Sequence, residues 1–93
     1  MEAVRMKSRP HTMVIANYDR IDEKVLYQQV KHLLDQNPSV SWGDITTGPS
    51  EDLQEGKIDG FPFTLIYDLN YGTEIYSDSE EAILRLQEYL NGV

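Results

Sequence analysis

Two strand-like segments separated by a short turn place the strongest constraint on how this chain folds. The run Phe61–Asp68 (FPFTLIYD) is rich in aromatic and β-branched residues, and Thr73–Tyr76 (TEIY) is a second run of this kind. The residues between them, Leu69 to Gly72, are typical of a turn. The sequence therefore predicts that the two strands form a β-hairpin.

Two further segments have the spacing of amphipathic helices. The first is 23–36, which follows Asp19 and Asp22 as candidate N-cap residues and stops at Pro38, because proline cannot continue a helical hydrogen-bond ladder. The second follows the capping-box pattern of residues 77–80, SDSE. The predicted apolar faces are Leu26, Val30, Leu33 and Leu34 in the first helix and Ala82, Ile83, Leu86, Tyr89 and Leu90 in the second.

The remaining segments are shorter or more polar. Residues 12–17 (TMVIAN) predict a strand buried on both faces, and residues 39–46 (SVSWGDIT) alternate apolar and polar residues as a second strand does. Residues 48–60 are polar, with a short helix over 50–54 as a candidate element. The predicted order is therefore βαβ followed by ββα, an α/β fold with a mixed four-stranded sheet and helices on its faces.

The length of 93 residues allows one modest core, so we expect a single domain over residues 11–93. Residues 1–10 carry Arg5, Lys7 and Arg9 without an apolar run behind them, and we expect a flexible basic arm.

Charge is distributed unevenly along the chain. Residues 1–38 are nearly balanced, whereas residues 39–93 contain two basic and eleven acidic residues, a net charge of −9. A surface of this sign repels nucleic acid and anionic membranes, and it accelerates encounter with basic partners. Solubility alone is the other explanation of this charge.

The segment from Gly60 to Asp68, then Gly72-Thr73-Glu74-Ile75 and the closing helix, resembles the C-terminal half of thioredoxin-like proteins, the superfamily of thioredoxin and glutaredoxin. The predicted element order over residues 12–91 is similar too. The resemblance implies a thioredoxin-like fold and a cis proline at Pro62, beside a strand edge that pairs with an extended peptide or with glutathione. A trans proline at the start of a strand is the alternative.

The chain has no cysteine, and the junction at which thioredoxins carry their redox motif is here Tyr18-Asp19-Arg20-Ile21-Asp22. Disulfide exchange and thiolate metal sites are therefore excluded. The two histidines have no metal-ligand spacing, and no phosphate-binding glycine loop or nucleophile motif is present. We expect no catalytic residues, no cofactor and no metal.

The resulting hypothesis is a non-redox, thioredoxin-like module in the cytoplasm that binds another protein through its Pro62 face and acidic hairpin, with no direct contact to nucleic acid or membrane. An alternative is an acidic inhibitor or immunity-type protein, phage-encoded in some cases, that blocks a basic nucleic-acid-binding or nuclease partner. A third is a glutathione-using enzyme with an anion site at Ser77–Ser79, which the adjacent acidic residues disfavour. The candidate partner-binding residues are Tyr18, Asp19, Asp22, Phe61, Pro62, Tyr71, Glu74, Tyr76 and Asp78.

Overall fold

The computed structural model describes residues 1–49, 51–70 and 72–93. Its elements in chain order are β1 (Ala3–Arg5), β2 (Thr12–Ile15), α1 (Glu23–Asp35), β3 (Val40–Thr47), β4 (Glu51–Ile58), β5 (Phe61–Asp68), β6 (Gly72–Tyr76) and α2 (Glu80–Gly92). The predicted β5–β6 hairpin is confirmed, with Thr64 opposite Tyr76 and Asp68 opposite Gly72.

The six strands form one sheet in the order β1-β2-β6-β5-β4-β3, and every neighbouring pair is antiparallel. The predicted mixed, four-stranded, thioredoxin-like βαβ-ββα arrangement is therefore wrong. The physical reason is that α1 does not connect two adjacent strands. It carries the chain from β2 to β3 at the far edge of the sheet, and β3, β4, β5 and β6 then return strand by strand.

Both helices pack on the same face of this sheet, whereas the prediction placed helices on both faces. Tyr27 of α1 packs against Tyr67, and Arg85 of α2 lies over Phe61. Because alternate residues of a strand share a face, positions 61 and 67 of β5 point to the same side. The hydroxyl of Tyr89 also donates a hydrogen bond to the Leu33 carbonyl, 2.5 Å away, which joins the two helices.

The core lies between the helices and this face of the sheet. Most of the predicted apolar positions of the two helices are buried in it, whereas Leu33 and Tyr89 are only partly buried against it. The fully buried side chains include Met13, Val30, Leu34, Leu65, Ile75, Ile83, Leu86 and Leu90. The opposite face is covered by no helix of the described residues, and we call it the open face.

The polar segment 48–60 contains β4 rather than a short helix, so that prediction is wrong for the part described; Ser50 lies outside the described residues. Asp59 and Gly60 turn the chain from β4 into β5 with φ values of 51° and 86°. Two positive φ values in a two-residue connection are typical of a type I′ hairpin, and glycine adopts the second at no steric cost.

The helix boundaries agree with the sequence prediction within a residue or two. The Asp22 carboxylate caps α1, accepting from the amides of Lys24 (2.9 Å) and Val25 (3.4 Å). Ser79 caps α2, accepting from the amide of Ala82 at 3.2 Å.

The first strand, β1, lies within the segment that the sequence analysis assigned to a flexible arm. The amide of Ala3 in this strand donates to the Asn91 side chain of α2 at 2.6 Å, and the carbonyl of Ala3 accepts from the Gln87 side chain at 3.1 Å. The division of the chain into an arm and one domain stays a prediction, but three residues of that arm belong to the sheet. No helix in the described ranges has the length and apolar content needed to cross a lipid bilayer.

Candidate functional site

A pocket of about 450 Å³ lies on the open face, where β3, β4, β5 and β6 run side by side. Its outward-pointing residues follow from the strand register, in which Lys57 faces both Ser41 and Pro62, and Thr64 faces both Glu55 and Tyr76. Asp78 closes the end of the pocket beyond β6. We call this the open-face pocket; it is lined by Ser41, Trp42, Gly43, Glu55, Gly56, Lys57, Pro62, Phe63, Thr64, Tyr76, Ser77 and Asp78.

The floor of the pocket depends on a close approach at Gly56. A Cβ atom at this position would lie 2.8 Å from the Phe63 ring and 3.0 Å from the Trp42 ring. Those two rings pack edge to face with centroids 5.6 Å apart on the helix side of the sheet. The absent side chain at Gly56 therefore allows the two aromatic rings to meet beneath the pocket.

Ser77 fixes the pocket's end to the strand beside it. Its buried hydroxyl donates to the Pro62 carbonyl at 2.5 Å and accepts from the Ser79 amide at 2.9 Å. The Tyr76 hydroxyl donates to the Asp78 carboxylate at 2.5 Å, and this hydrogen bond raises the pKa of the Tyr76 phenol. Two predicted residues, Tyr76 and Asp78, are thus bonded to each other at the rim.

The charges of the pocket are mixed. Glu55 and Asp78 are acidic and Lys57 is basic, and all three side chains belong to exposed residues. Among the described residues, Lys57 and Glu55 take part in none of the ion pairs within 4.0 Å. Serine, threonine and tyrosine hydroxyls supply further donors and acceptors, so the site can hydrogen-bond a polar partner group of either sign.

Glu74 lies on the same face but is nearly buried, with 5% of its surface exposed. Arg9 reaches over it from the β1–β2 connection, 3.2 Å from a carboxylate oxygen. Burial raises the pKa of Glu74, Arg9 opposes that rise, and the nearby charges of Asp68 and Glu51 add to it. Glu74 therefore forms an ion pair within the chain, and it does not belong to the exposed acidic surface that the sequence analysis expected on this hairpin.

The predicted residues before α1 lie at the other end of the sheet. Tyr18 follows the end of β2 at Ile15, whereas Thr12 at the start of β2 faces Tyr76. Tyr18 is 77% exposed, and it borders a separate hollow of about 560 Å³ together with Asp19 and both chain termini. A hydrogen bond with Glu2 raises the pKa of the Tyr18 phenol. Asp22 caps α1, so its carboxylate has a structural role.

Phe61 does not join the site. Although adjacent in sequence, Phe61 and Pro62 point to opposite faces of β5, and Phe61 packs against the core with Arg85 over its ring at 5.3 Å. The Phe61–Pro62 bond is trans, so the cis proline implied by the resemblance is wrong. Tyr71 lies outside the described residues.

The structure therefore brings Pro62, Tyr76 and Asp78 together in one pocket and separates them from Tyr18, Asp19, Asp22 and Phe61. The residues that the sequence analysis missed are those contributed by β3 and β4, chiefly Ser41, Gly43, Glu55 and Lys57. The signal that could have found them is Asp59-Gly60, a dipeptide that favours a tight hairpin and so pairs the polar segment before it with β5.

The hydrogen bonds of residues 77–79 argue against the glutathione hypothesis. The two hydroxyls of this segment are engaged by Pro62 and by the amides of Ser79 and Ala82, which are the groups that an anion would need. Within the described ranges, no group of three or more acidic or histidine side chains is arranged to hold a metal ion.

Comparison with known proteins gives no match: neither a family model, nor a curated protein, nor a solved structure is significantly similar to this chain. Kinship with the thioredoxin superfamily therefore stays a prediction.

Proposed function

We propose that this protein is a non-catalytic binding module that holds another protein on the open face of its sheet, and that the partner's contact surface is basic. The observation that carries the proposal is the open-face pocket, in which Pro62, Tyr76 and Asp78 converge with Glu55 and the small residues of β3. We place this activity in the cytoplasm, as the sequence analysis expects.

The composition of the open face supports protein binding. Tyr76 is 39% exposed and Pro62 is also exposed. The aromatic ring of Tyr76 and the rigid ring of Pro62 offer apolar contact area to a partner at low entropic cost. Hydroxyl groups and charges surround them, as at the polar rim of a protein interface.

Charge supports a basic partner. The basic residues of the N-terminal segment are partly used inside the chain, since Arg5 pairs with Glu80 at 2.5 Å and Arg9 pairs with Glu74. Glu55, Asp78 and Asp44 remain exposed near the pocket. A surface of this kind attracts cationic side chains and speeds their encounter with the protein.

The test is a charge reversal on each side of the molecule. We expect that the double variant Glu55→Lys, Asp78→Lys no longer retains the partner that the parent protein captures from its native host. The control Glu88→Lys, on the exposed side of α2, is expected to retain it. Retention by the double variant, together with loss in Asp19→Lys at the other end of the sheet, would contradict the proposal.

The net charge of −9 over residues 39–93 favours a second candidate, an inhibitor that covers a basic nucleic-acid-binding or nuclease site. This candidate makes two additional predictions. Single-stranded or duplex DNA should compete with the protein for its partner, and the complex should weaken strongly with salt, because screening shortens the Debye length from about 10 Å at 0.1 M to about 3 Å at 1 M. A partner that binds no nucleic acid leaves the binding module as the better account.

A further inference from the structure

The two edges of the sheet differ in how their backbone groups are used. At the β1 edge, the amide and carbonyl of Ala3 are bonded by side chains of α2, namely Asn91 and Gln87. The β3 edge is longer, with eight residues against three, and six of its eight residues are exposed. Within the described residues, no strand pairs with the outer side of β3.

The hydrogen-bond pattern of the β3–β4 hairpin shows which groups point outward. The Gly48 amide donates to the Glu51 carbonyl at 2.8 Å, and the Asp59 amide donates to the Ser39 carbonyl at 2.9 Å. Bonded pairs alternate with non-bonded pairs along an antiparallel ladder. The register of β3 against β4 shifts between Trp42 and Ile45, so the alternation is counted from each bond only as far as this bulge. On that count the backbone groups of Trp42, before the bulge, and of Ile45 and Thr47, after it, turn away from β4 toward the free side of the edge.

The open-face pocket begins at this edge. Gly43 belongs to the edge strand β3 and lies beside Glu55 of β4, and a Cβ atom at Gly43 would be 3.7 Å from the Glu55 carbonyl oxygen. Because glycine has no side chain, no side chain at Gly43 stands between a strand added beside β3 and Glu55.

Geometry and charge select the occupant. A strand added to β3 would have its Cα atoms about 10 Å from those of β4, two interstrand spacings away, a gap that the extended side chains of an arginine and a glutamate together span. A second copy of this chain fits poorly, since both copies have a net charge of −8 and repel each other.

We propose that β3 accepts an extended, basic segment of the partner as a seventh strand, with one of its cationic side chains crossing Gly43 to meet Glu55. This inference rests on the proposed function and names the form in which the partner is held. Backbone hydrogen bonds to Trp42, Ile45 and Thr47 hold the segment, and Glu55 selects its charge.

The probe is a nine-residue peptide, blocked at both ends, that alternates threonine and valine around one central arginine. Titrated into the full chain, it is expected to shift the amide resonances of Trp42, Ile45 and Thr47 and to slow their hydrogen exchange. A matched peptide with a central glutamate is expected to bind about tenfold more weakly, as is the Arg peptide to Glu55→Gln, since a charged hydrogen bond is lost.

The edge itself is tested by Thr47→Pro, which removes an outward amide without removing a bond to β4, and by its control Thr47→Ala. We expect the proline variant to lose the peptide and the alanine variant to keep it, with both retaining the parent's circular dichroism. Equal binding by the two variants would overturn strand addition. So would slow exchange confined to residues away from β3, or a peptide-independent dimer that dissociates in Thr47→Pro.

The two proposals fail in different ways. One outcome is that Thr47→Pro still captures the basic partner while Glu55→Lys, Asp78→Lys does not. In that case the open face binds the partner without an added strand, so strand addition is wrong and the proposed function stands. If both variants capture the partner, the proposed function fails as well.

Discussion

The guanidinium of Arg9 lies 3.2 Å from a carboxylate oxygen of Glu74, on the face of the sheet that faces away from both helices. The pair joins the β1–β2 connection to the middle of β6, and only 6% of the Glu74 side chain is exposed against 54% of Arg9. The positive charge of Arg9, which is partly solvated, therefore offsets only part of the cost of burying the Glu74 carboxylate.

The first prediction concerns the pH dependence of stability. Burial raises the folded-state pKa of Glu74 above its ordinary value of 4.5, so the folded protein binds this proton more tightly than the unfolded chain does. The stabilisation from the protonated form is present below pH 4.5 and is lost as pH rises through the raised pKa. We expect Glu74→Gln to raise the free energy of unfolding at pH 7 and to have a smaller effect below pH 4.5.

Urea unfolding at the two pH values measures this difference, with Glu88→Gln as the control at an exposed position. A loss of stability in Glu74→Gln at pH 7 would show instead that the Arg9 ion pair outweighs the cost of burial.

The second prediction concerns Ser77, which is 2% exposed. Ser77→Ala removes the donor to the Pro62 carbonyl and the acceptor of the Ser79 amide, and leaves both groups without this partner. We expect the free energy of unfolding to fall by about 1–3 kcal/mol. Thermal or urea unfolding checks this against Ser8→Ala, an exposed position at which a change within about 0.5 kcal/mol is expected.

The third prediction concerns the pocket floor. Gly56→Ala places a Cβ atom 2.8 Å from the Phe63 ring, so Phe63 or Trp42 must move, and we expect a loss of about 1–3 kcal/mol. Gly43→Ala is the matched control on the neighbouring strand, since its Cβ meets only ordinary contacts at 3.7 and 3.8 Å. Near-ultraviolet circular dichroism of Trp42 should change in the first variant and stay unchanged in the second.

The fourth prediction separates the two acidic residues before α1. Asp22→Ala removes the cap of α1 and is expected to cost about 0.5–2 kcal/mol of stability. Asp19→Ala, at an exposed position, is expected to change stability by less than about 0.5 kcal/mol. Equal effects in chemical denaturation would remove the capping role assigned to Asp22.

Local sequence patterns were sufficient to predict those helices and strands whose own residues have a clear helical spacing or a run of strand-forming residues. The helical spacing of α1 and α2 and the apolar run of β5 predicted these elements closely. Strand β4 gave no such signal, because its inward positions include Gln54 and Gly56 instead of apolar residues. Gln54 is accommodated by a hydrogen bond from its side-chain amide to the Gly43 carbonyl at 3.0 Å, a partner that only the tertiary fold supplies.

The same limit applies to the candidate site. Pro62, Tyr76 and Asp78 belong to the hairpin and its exit, which the sequence predicted, and they do converge. The other side of the pocket comes from β3, which was predicted, and from β4, which was not, and β3 joins the pocket only through its pairing with β4. The alternation of side chains along β5 already implied that Phe61 and Pro62 could not serve one surface.

The attachment of α2 to Ala3 limits how these sheets can associate with one another. Edge-to-edge growth into a fibre needs two free edges on every molecule, and here Asn91 and Gln87 bond the outward amide and carbonyl of Ala3 on the short one. We therefore expect self-association through the long edge to give a closed, twofold pair that stops at two molecules. Concentrated solutions should consequently stay free of filaments as long as the C-terminal turn remains docked.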